Sequence, residues 1–490
     1  MKSSRMTKYF LLLFLPLSAL AQPVQKNTEE KIKLVENSLV PSVIYGDSII
    51  KHNLEERMKE THIKGLSIAV IQNYEVVWAK GYGWANEEEK RKVTPTTRFQ
   101  AASISKSLNS LGVLKLVQEG KLDPEADINN YLKGWKFPYD TTAKNKKINT
   151  YNLLSHTAGL TIHGFPGYKR TDSIPSLPQI LDGKRPANTK AVRSYTEPGK
   201  SFEYSGGGTT ISQLLVTSIT GRDYAEFMQK EVLTPLGMTN SSYRQPPIDT
   251  SVVATGYYQN GKPVERKFHV YPEQAAAGLW TTPSDLAKYV IECQRAWEGK
   301  SSKVISPKWM QKRMTAYIDS GVGLGLFLEN RAGLKYFNHN GGNEAFLSTY
   351  WGSFKDGNGV AIMINGEDFS VVTELLNSVA TVYGWKGFFT PTMKKQFKMP
   401  VDSLRQFTGD YLLGKDTLTI VNCDGGLCIQ QNRDSSHQFK LLFSDAATFS
   451  AKEVSNADFK AIRNATGKIE ALELRQNGRV TRLPRIVKQL

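Results

Sequence analysis

One segment constrains the fold more than any other: from about Ala102 to Glu119 the sequence spells a strongly apolar helix, closed by Gly120 as its C′ residue. A helix of this buried type needs cover from other layers, so the chain must build a core around it. At 490 residues, 40% hydrophobic and 22% charged, the composition is globular and the length exceeds what one core usually supports, so two folded units are expected.

The flanking patterns say what those layers are. Leu66 to Ile71, a turn at Gln72-Asn73, then Val76 to Ala79 and Gly81-Tyr82-Gly83 read as a β-hairpin. Residues 162–200, rich in Pro, Gly, Ser, Thr and Lys, read as a long functional loop. Helices are signalled by Ile211 to Thr220, stopped by Gly221, by Tyr224 to Leu233, stopped by Pro235, and after Thr282-Pro283-Ser284-Asp285. Strand signals return at Gly323 to Leu328, Phe346 to Trp351 and Val360 to Ile364, before a helix from about Val371 to Tyr383. Strands first, helices in the middle and strands last predict an α+β unit whose antiparallel sheet draws its outer strands from both ends. This unit is expected over residues 49–387, after a polar leader or short packing helix at 22–48. A Pro- and Lys-bearing linker at 388–400 and a small all-β unit at 401–490 follow.

Three groups of residues carry chemistry. Ser103-Ile104-Ser105-Lys106 opens the apolar helix, and one helical turn puts the hydroxyl of Ser103 and the ammonium of Lys106 on one face. A serine hydroxyl needs a neighbour to take its proton, and a helix start favours developing negative charge. Phe202-Glu203-Tyr204-Ser205-Gly206 places a phenol in a loop just before a helix, where nearby cations would let it act as a base. In Asn338-His339-Asn340-Gly341-Gly342-Asn343, a segment leading into an apolar strand, the two glycines let backbone approach a ligand. An amide there could complete an oxyanion hole with that of Ser103.

These elements, in this order, resemble the active site of the class C β-lactamase and penicillin-binding-protein family of serine hydrolases. Asn152-Leu153-Leu154-Ser155-His156-Thr157-Ala158-Gly159-Leu160, Leu233-Thr234-Pro235-Leu236-Gly237-Met238 and Ala277-Gly278-Leu279-Trp280-Thr281-Thr282-Pro283-Ser284-Asp285-Leu286 resemble further segments of that family, and the likeness covers roughly residues 50 to 385. The resemblance implies a β-lactamase/transpeptidase-like fold in which Ser103 is acylated, Lys106 and Tyr204 share the proton traffic, and the amides of Ser103 and Gly342 form the oxyanion hole. It implies that His339 replaces the lysine of a Lys-Thr-Gly strand motif and that His156 is a packed structural histidine. Gly206 stands where β-lactamases carry the asparagine of Tyr-x-Asn. Both departures argue against efficient antibiotic hydrolysis and for an esterase or a peptidase on acyl or D-amino acid substrates; the alternative is a protein that acylates without turnover. The segment Leu404 to Tyr411 resembles the opening strand of the small β-barrel-like domain that follows this hydrolase domain in exported relatives.

The remaining features concern location and partners. Lys2, Arg5 and Lys8, an apolar run from Tyr9 to Leu20 and the closing Ala19-Leu20-Ala21 predict a signal peptide cleaved after Ala21, hence a periplasmic or secreted protein. The run is well short of the roughly 20 residues that cross a bilayer, and no transmembrane segment is expected after cleavage. The formal charge of +17 suits association with anionic cell-envelope polymers, and no nucleic-acid motif is present. The expected partner is a small ester, amide or peptide substrate. The seven histidines are scattered, without His-Glu-x-x-His or paired cysteine spacing, so neither metal nor cofactor is expected. Cys423 and Cys428 flank a turn-forming stretch and are either bridged across a hairpin or two unpaired strand cysteines.

Overall fold

The computed structural model describes residues 21–414, 416–435, 438–451, 457–476 and 479–486; of the signal-peptide reading at residues 1–21, all but Ala21 lies outside them. The first layer is a seven-stranded antiparallel sheet. It holds β2 (Gly65–Gln72), β3 (Glu75–Asn86), β4 (Arg91–Lys92), β7 (Phe327–Arg331), β8 (Leu334–Asn343), β9 (Phe346–Ser353) and β10 (Gly359–Ile364), in the order β4-β3-β2-β10-β9-β8-β7. The earliest and latest strands thus meet where β2 pairs with β10, from Gly359↔Ile71 to Ile364↔Leu66.

Both faces of that central pair are covered, so its sequence is a continuous apolar run rather than an alternating one. Leu66, Ile68, Val70, Val360, Ile362 and Ile364 share one core with Val371, Leu375 and Val379 of the helix Phe369–Val382. The intervening Ala69, Ile71, Ala361 and Met363 share the other with Leu108 and Leu111 of the helix Ser105–Gln118 and with Leu286 and Val290 of the helix Pro283–Trp297. The apolar helix is buried along nearly its whole length, from Ser105 to Val117.

Several element boundaries differ from the sequence reading, each for a physical reason. The hairpin turn falls at Asn73-Tyr74, both at positive φ, one residue later than expected. The helix after Tyr204 starts at Gly206, because Ser205 caps it by accepting from Gly208 N at 2.9 Å. Pro235 does not stop its helix: a π turn at Gln229–Leu233 hands over to Thr234–Leu236, where a first-turn proline needs no N–H, and Gly237 in the left-handed region ends it. Residues 323–326 are loop, and the strand is Phe327–Arg331. The segment 162–200 contains a short helix, Leu177–Asp182, with Gly183 at its C-cap.

A helix Ala21–Glu36 precedes β1 (Val43–Tyr45), which pairs in parallel with β11 (Thr392–Lys394), so residues expected as leader and linker hydrogen-bond to each other. Beyond them an eight-stranded antiparallel sheet runs in simple chain order from β12 (Gly409–Leu413) to β19 (Arg479–Pro484). Its ends approach through Ile486 N donating to Asp410 O at 2.8 Å and a Tyr411–Arg485 bridge, giving a nearly closed barrel. The buried residues of its core run from Phe407 to Leu483, with Met399 of the linker and Leu404 packed against them. Cys423 and Cys428 form a disulfide across the hairpin of β13 (Asp416–Cys423) and β14 (Gly426–Gln431).

Candidate active site

The turn that carries Ser103 is held from three sides. The short strand β5 (Phe99–Gln100) pairs with β6 (Trp280–Thr281), and Ala101 N donates to Leu279 O at 2.8 Å. Ala102 then adopts φ 50°, a strained value for a residue with a Cβ, and opens the 3₁₀ turn Ala102–Ile104. Ser105 locks that turn: its Oγ donates to Ala102 O at 2.6 Å and accepts from Leu279 N at 3.0 Å. Tyr243 OH donates to Ser105 O at 2.7 Å. The result is a partly exposed Ser103 hydroxyl at the head of a buried helix.

Lys106 is only 3% exposed, yet neither of its hydrogen-bond acceptors is a carboxylate. Its Nζ donates to Ser103 Oγ at 3.0 Å and to Ala276 O at 2.7 Å, and lies 5.1 Å from the centroid of the Tyr204 ring. A cation so placed favours negative charge on the groups around it.

Tyr204 stands in an aromatic cluster, with its ring 4.4 Å from that of His156, 6.4 Å from Phe327 and 6.5 Å from His339. His156 is buried, and its Nδ1 accepts from Ser205 N at 3.2 Å, which fixes the Nε2–H tautomer when the ring is neutral. Burial, reinforced by the charges of Lys106 and His339, holds its pKa well below the ordinary histidine value. His339 is 2% exposed, and burial followed by the Lys106 charge pushes its pKa down to about 3. Its Nδ1 lies 2.6 Å from Asn340 O, which can only accept, so the proton sits on Nδ1 and Nε2 keeps a lone pair. At neutral pH His339 is therefore an uncharged ring.

Asn338 to Asn343 form the end of β8 itself rather than a segment leading into a strand. The β7 partner reaches only to Phe327↔Asn338, so residues 339–343 have β9 on one side and an open edge on the other. Gly341 is there because strand and nucleophile turn collide otherwise: a Cβ would lie 2.2 Å from Ala101 O and 2.4 Å from Ser348 Oγ. Gly342 is exposed, and a Cβ there would meet only Leu347, at 3.4 Å.

The structure thus gathers Ser103, Lys106, Tyr204 and His339, with Gly341 against the turn that carries Ser103. Gly206 differs, being buried, with its N–H donating to His163 O at 3.1 Å and the Phe165 ring 3.0 Å from where a Cβ would sit. Loop residues cover the place where an asparagine side chain would project. Four contributors escaped the sequence reading: Ser105, the Ala276 carbonyl, Ser348 Oγ, which donates to Ala101 O at 2.9 Å, and Asn343. The last donates to Gln100 Oε1 at 2.7 Å and Ala277 O at 3.1 Å. Only Ser105 carried a signal, its place inside the Ser-x-x-Lys motif; the rest depend on contacts between segments remote in sequence.

An antiparallel sheet covered by helices, with a Ser-x-x-Lys helix start at its centre, defines a serine-hydrolase scaffold of the β-lactamase and penicillin-binding-protein type. The chain belongs to the beta-lactamase family, whose model matches residues 50–380. It is 31% identical over 242 residues to Protein flp of Staphylococcus aureus, covering 49% of this chain and 44% of that one, less than half of the relative's length. It is 29% identical over 248 residues to a beta-lactamase of Pseudomonas fluorescens, covering 49% of this chain and 63% of that one. Among solved structures, the octameric penicillin-binding protein homologue from Pyrococcus abyssi aligns over 88% of this chain and 98% of its own, with TM-score 0.60 and 22% identity. The D-amino acid amidase from Ochrobactrum anthropi SV3 aligns over 73% and 99%, with TM-score 0.57 and 20% identity. At these identities the likeness is one of fold. It includes the α+β architecture expected from the sequence.

Proposed function

We propose that the chain is an exported acyl-serine hydrolase acting on neutral esters or amides, with Ser103 as nucleophile. The observation that carries this reading is the 3.0 Å contact between Ser103 Oγ and a buried Lys106 Nζ that no carboxylate among the described residues neutralises. Ser103 Oγ attacks the substrate carbonyl while its proton passes into the Lys106–Tyr204 pair, and the amides of Ser103 and Gly342 receive the oxyanion. The proton then goes to the leaving group as the carbonyl–leaving-group bond breaks. Water, deprotonated by the same pair, releases the acyl group from Ser103.

Substrate class follows from His339. An uncharged ring stands where the Lys-Thr-Gly lysine would hold a carboxylate, so substrates without a carboxylate near the scissile bond are favoured. Short-chain esters and D-amino acid amides meet that condition; D,D-dipeptides do not. Nitrophenyl-ester turnover is expected to survive chelator and to vanish in Ser103→Ala, and a D,D-dipeptide with an amidated C-terminus is expected to outpace the same dipeptide with its free carboxylate. Turnover unchanged in Ser103→Ala removes the proposal.

A second reading, a protein that acylates once and stays acylated, draws support from the loop cover on Gly206. Product release beyond one equivalent per chain excludes it.

A further inference from the structure

Away from the proposed catalytic site lies a cavity of about 700 Å³ that the hydrolase reading does not use. It opens where three remote segments converge: residues 41–52, the start of the helix Phe369–Val382, and strands β15 (Gln438–Phe443), β16 (Thr448–Ala451) and β17 (Asp458–Arg463) of the barrel. Protein interiors pack with few voids larger than a water molecule, and junctions between folded units are where small-molecule sites of this volume concentrate.

The lining gives the chemistry of an occupant. One wall is apolar, with Val43, Ile44, Tyr45, Phe369, Leu442 and Ala451. Most charges on the rest are neutralised within the protein. Arg57 donates to both oxygens of Glu374, at 2.8 Å each, and to Glu60 at 2.6 Å. Lys394 bonds Asp458 at 2.5 Å and Ser450 Oγ at 3.0 Å. Lys440 is different: its Nζ reaches only a backbone carbonyl, that of Asp424, at 3.4 Å, and it has no carboxylate partner among the described residues. Beside the apolar wall, Ile50 stays 64% exposed, apolar surface that an occupant would cover.

We infer that this cavity binds a single-chain amphiphile carrying one anionic head, its apolar body against Val43, Phe369 and Leu442 and its head on Lys440. The inference stands apart from the hydrolase reading, since no residue of the Ser103 cluster lines the cavity.

Dodecanoate below its micellar concentration, titrated calorimetrically into the full chain, tests it. One molecule is expected to bind per chain. Dodecyltrimethylammonium, of equal chain length and opposite charge, is expected to bind at least about tenfold more weakly. Leu442→Trp, which fills the cavity, is expected to abolish binding. Lys440→Glu, at an exposed position that leaves the core intact, is expected to weaken it about tenfold. Prior labelling of Ser103 with a fluorophosphonate is expected to leave it unchanged. Failure of dodecanoate to bind, equal binding of the cationic amphiphile, unaltered binding in both variants, or loss of binding on labelling overturns the inference.

Discussion

His339 and His156 enter the fold as neutral rings inside a cluster that also holds Lys106, and that choice has a thermodynamic consequence. The pKa of His339 falls to about 3, and that of His156 lies well below 6.5, both chiefly because burial disfavours the charged ring. The unfolded chain protonates both below about 6.5, so it binds more protons than the native state as pH falls. Their contribution to stability is complete above about pH 6.5 and is lost progressively below it, by about 1.4 kcal/mol per pH unit for each ring. Burial pushes the Glu273 carboxyl up to about 8, so its contribution grows as pH falls and offsets about one ring. Urea midpoints between pH 6.5 and 5 are therefore expected to drop by the remaining ring's worth, and His339→Gln to flatten the slope. A midpoint level across that window contradicts the neutral-ring assignment. The same assignment predicts that His339→Lys, which restores a permanent cation, shifts preference toward substrates that carry a carboxylate. Relative kcat/KM for cleavage of a D,D-dipeptide and of its C-terminal amide measures that shift.

At the level of elements, two adjacent glycines of β8 are expected to respond oppositely to substitution. Gly341→Ala drives a Cβ into Ala101 O and Ser348 Oγ, so either the strand or the turn before Ser103 must move. A loss of about 3 kcal/mol with a fall in kcat is expected. Gly342→Ala meets only Leu347 at ordinary contact distance and is expected to change stability by no more than about 0.5 kcal/mol. Equal melting temperatures for the two variants would refute the close approach. These elements also mark where sequence was legible. Strands β2 and β10 and the buried helix were readable because burial on all sides leaves an apolar run. The end of β8 was not, because its Asn and Gly residues serve the approach to Ser103 and so imitate a turn. Gly206 to Gly208 hid a helix start in the same way, since glycine is a poor helix former and only the Ser205 cap reveals the boundary.

Across the whole molecule, two units of different construction meet. The sheet-and-helix unit needed strands from both of its ends, a non-local pairing that family resemblance and strand order anticipated. The parallel β1–β11 pair joining leader to linker left no trace in sequence, since three-residue strands carry too little pattern. The buried residues of the barrel's core all lie within 407–483, with Met399 and Leu404 packed against them. A chain ending at residue 400 is therefore expected to retain ester turnover, assayed beside the full chain, and loss of turnover in a folded truncation would give the barrel a part in the active site. The gathering of Ser103, Lys106, Tyr204 and His339 into one cluster is the feature on which the functional reading depends. Its most direct test is intact-mass and peptide mapping after a brief exposure to a fluorophosphonate. The account predicts a single adduct on the peptide containing Ser103, lost in Ser103→Ala and slowed in Lys106→Met. An unmodified Ser103, or an adduct of equal yield on another residue, would contradict it.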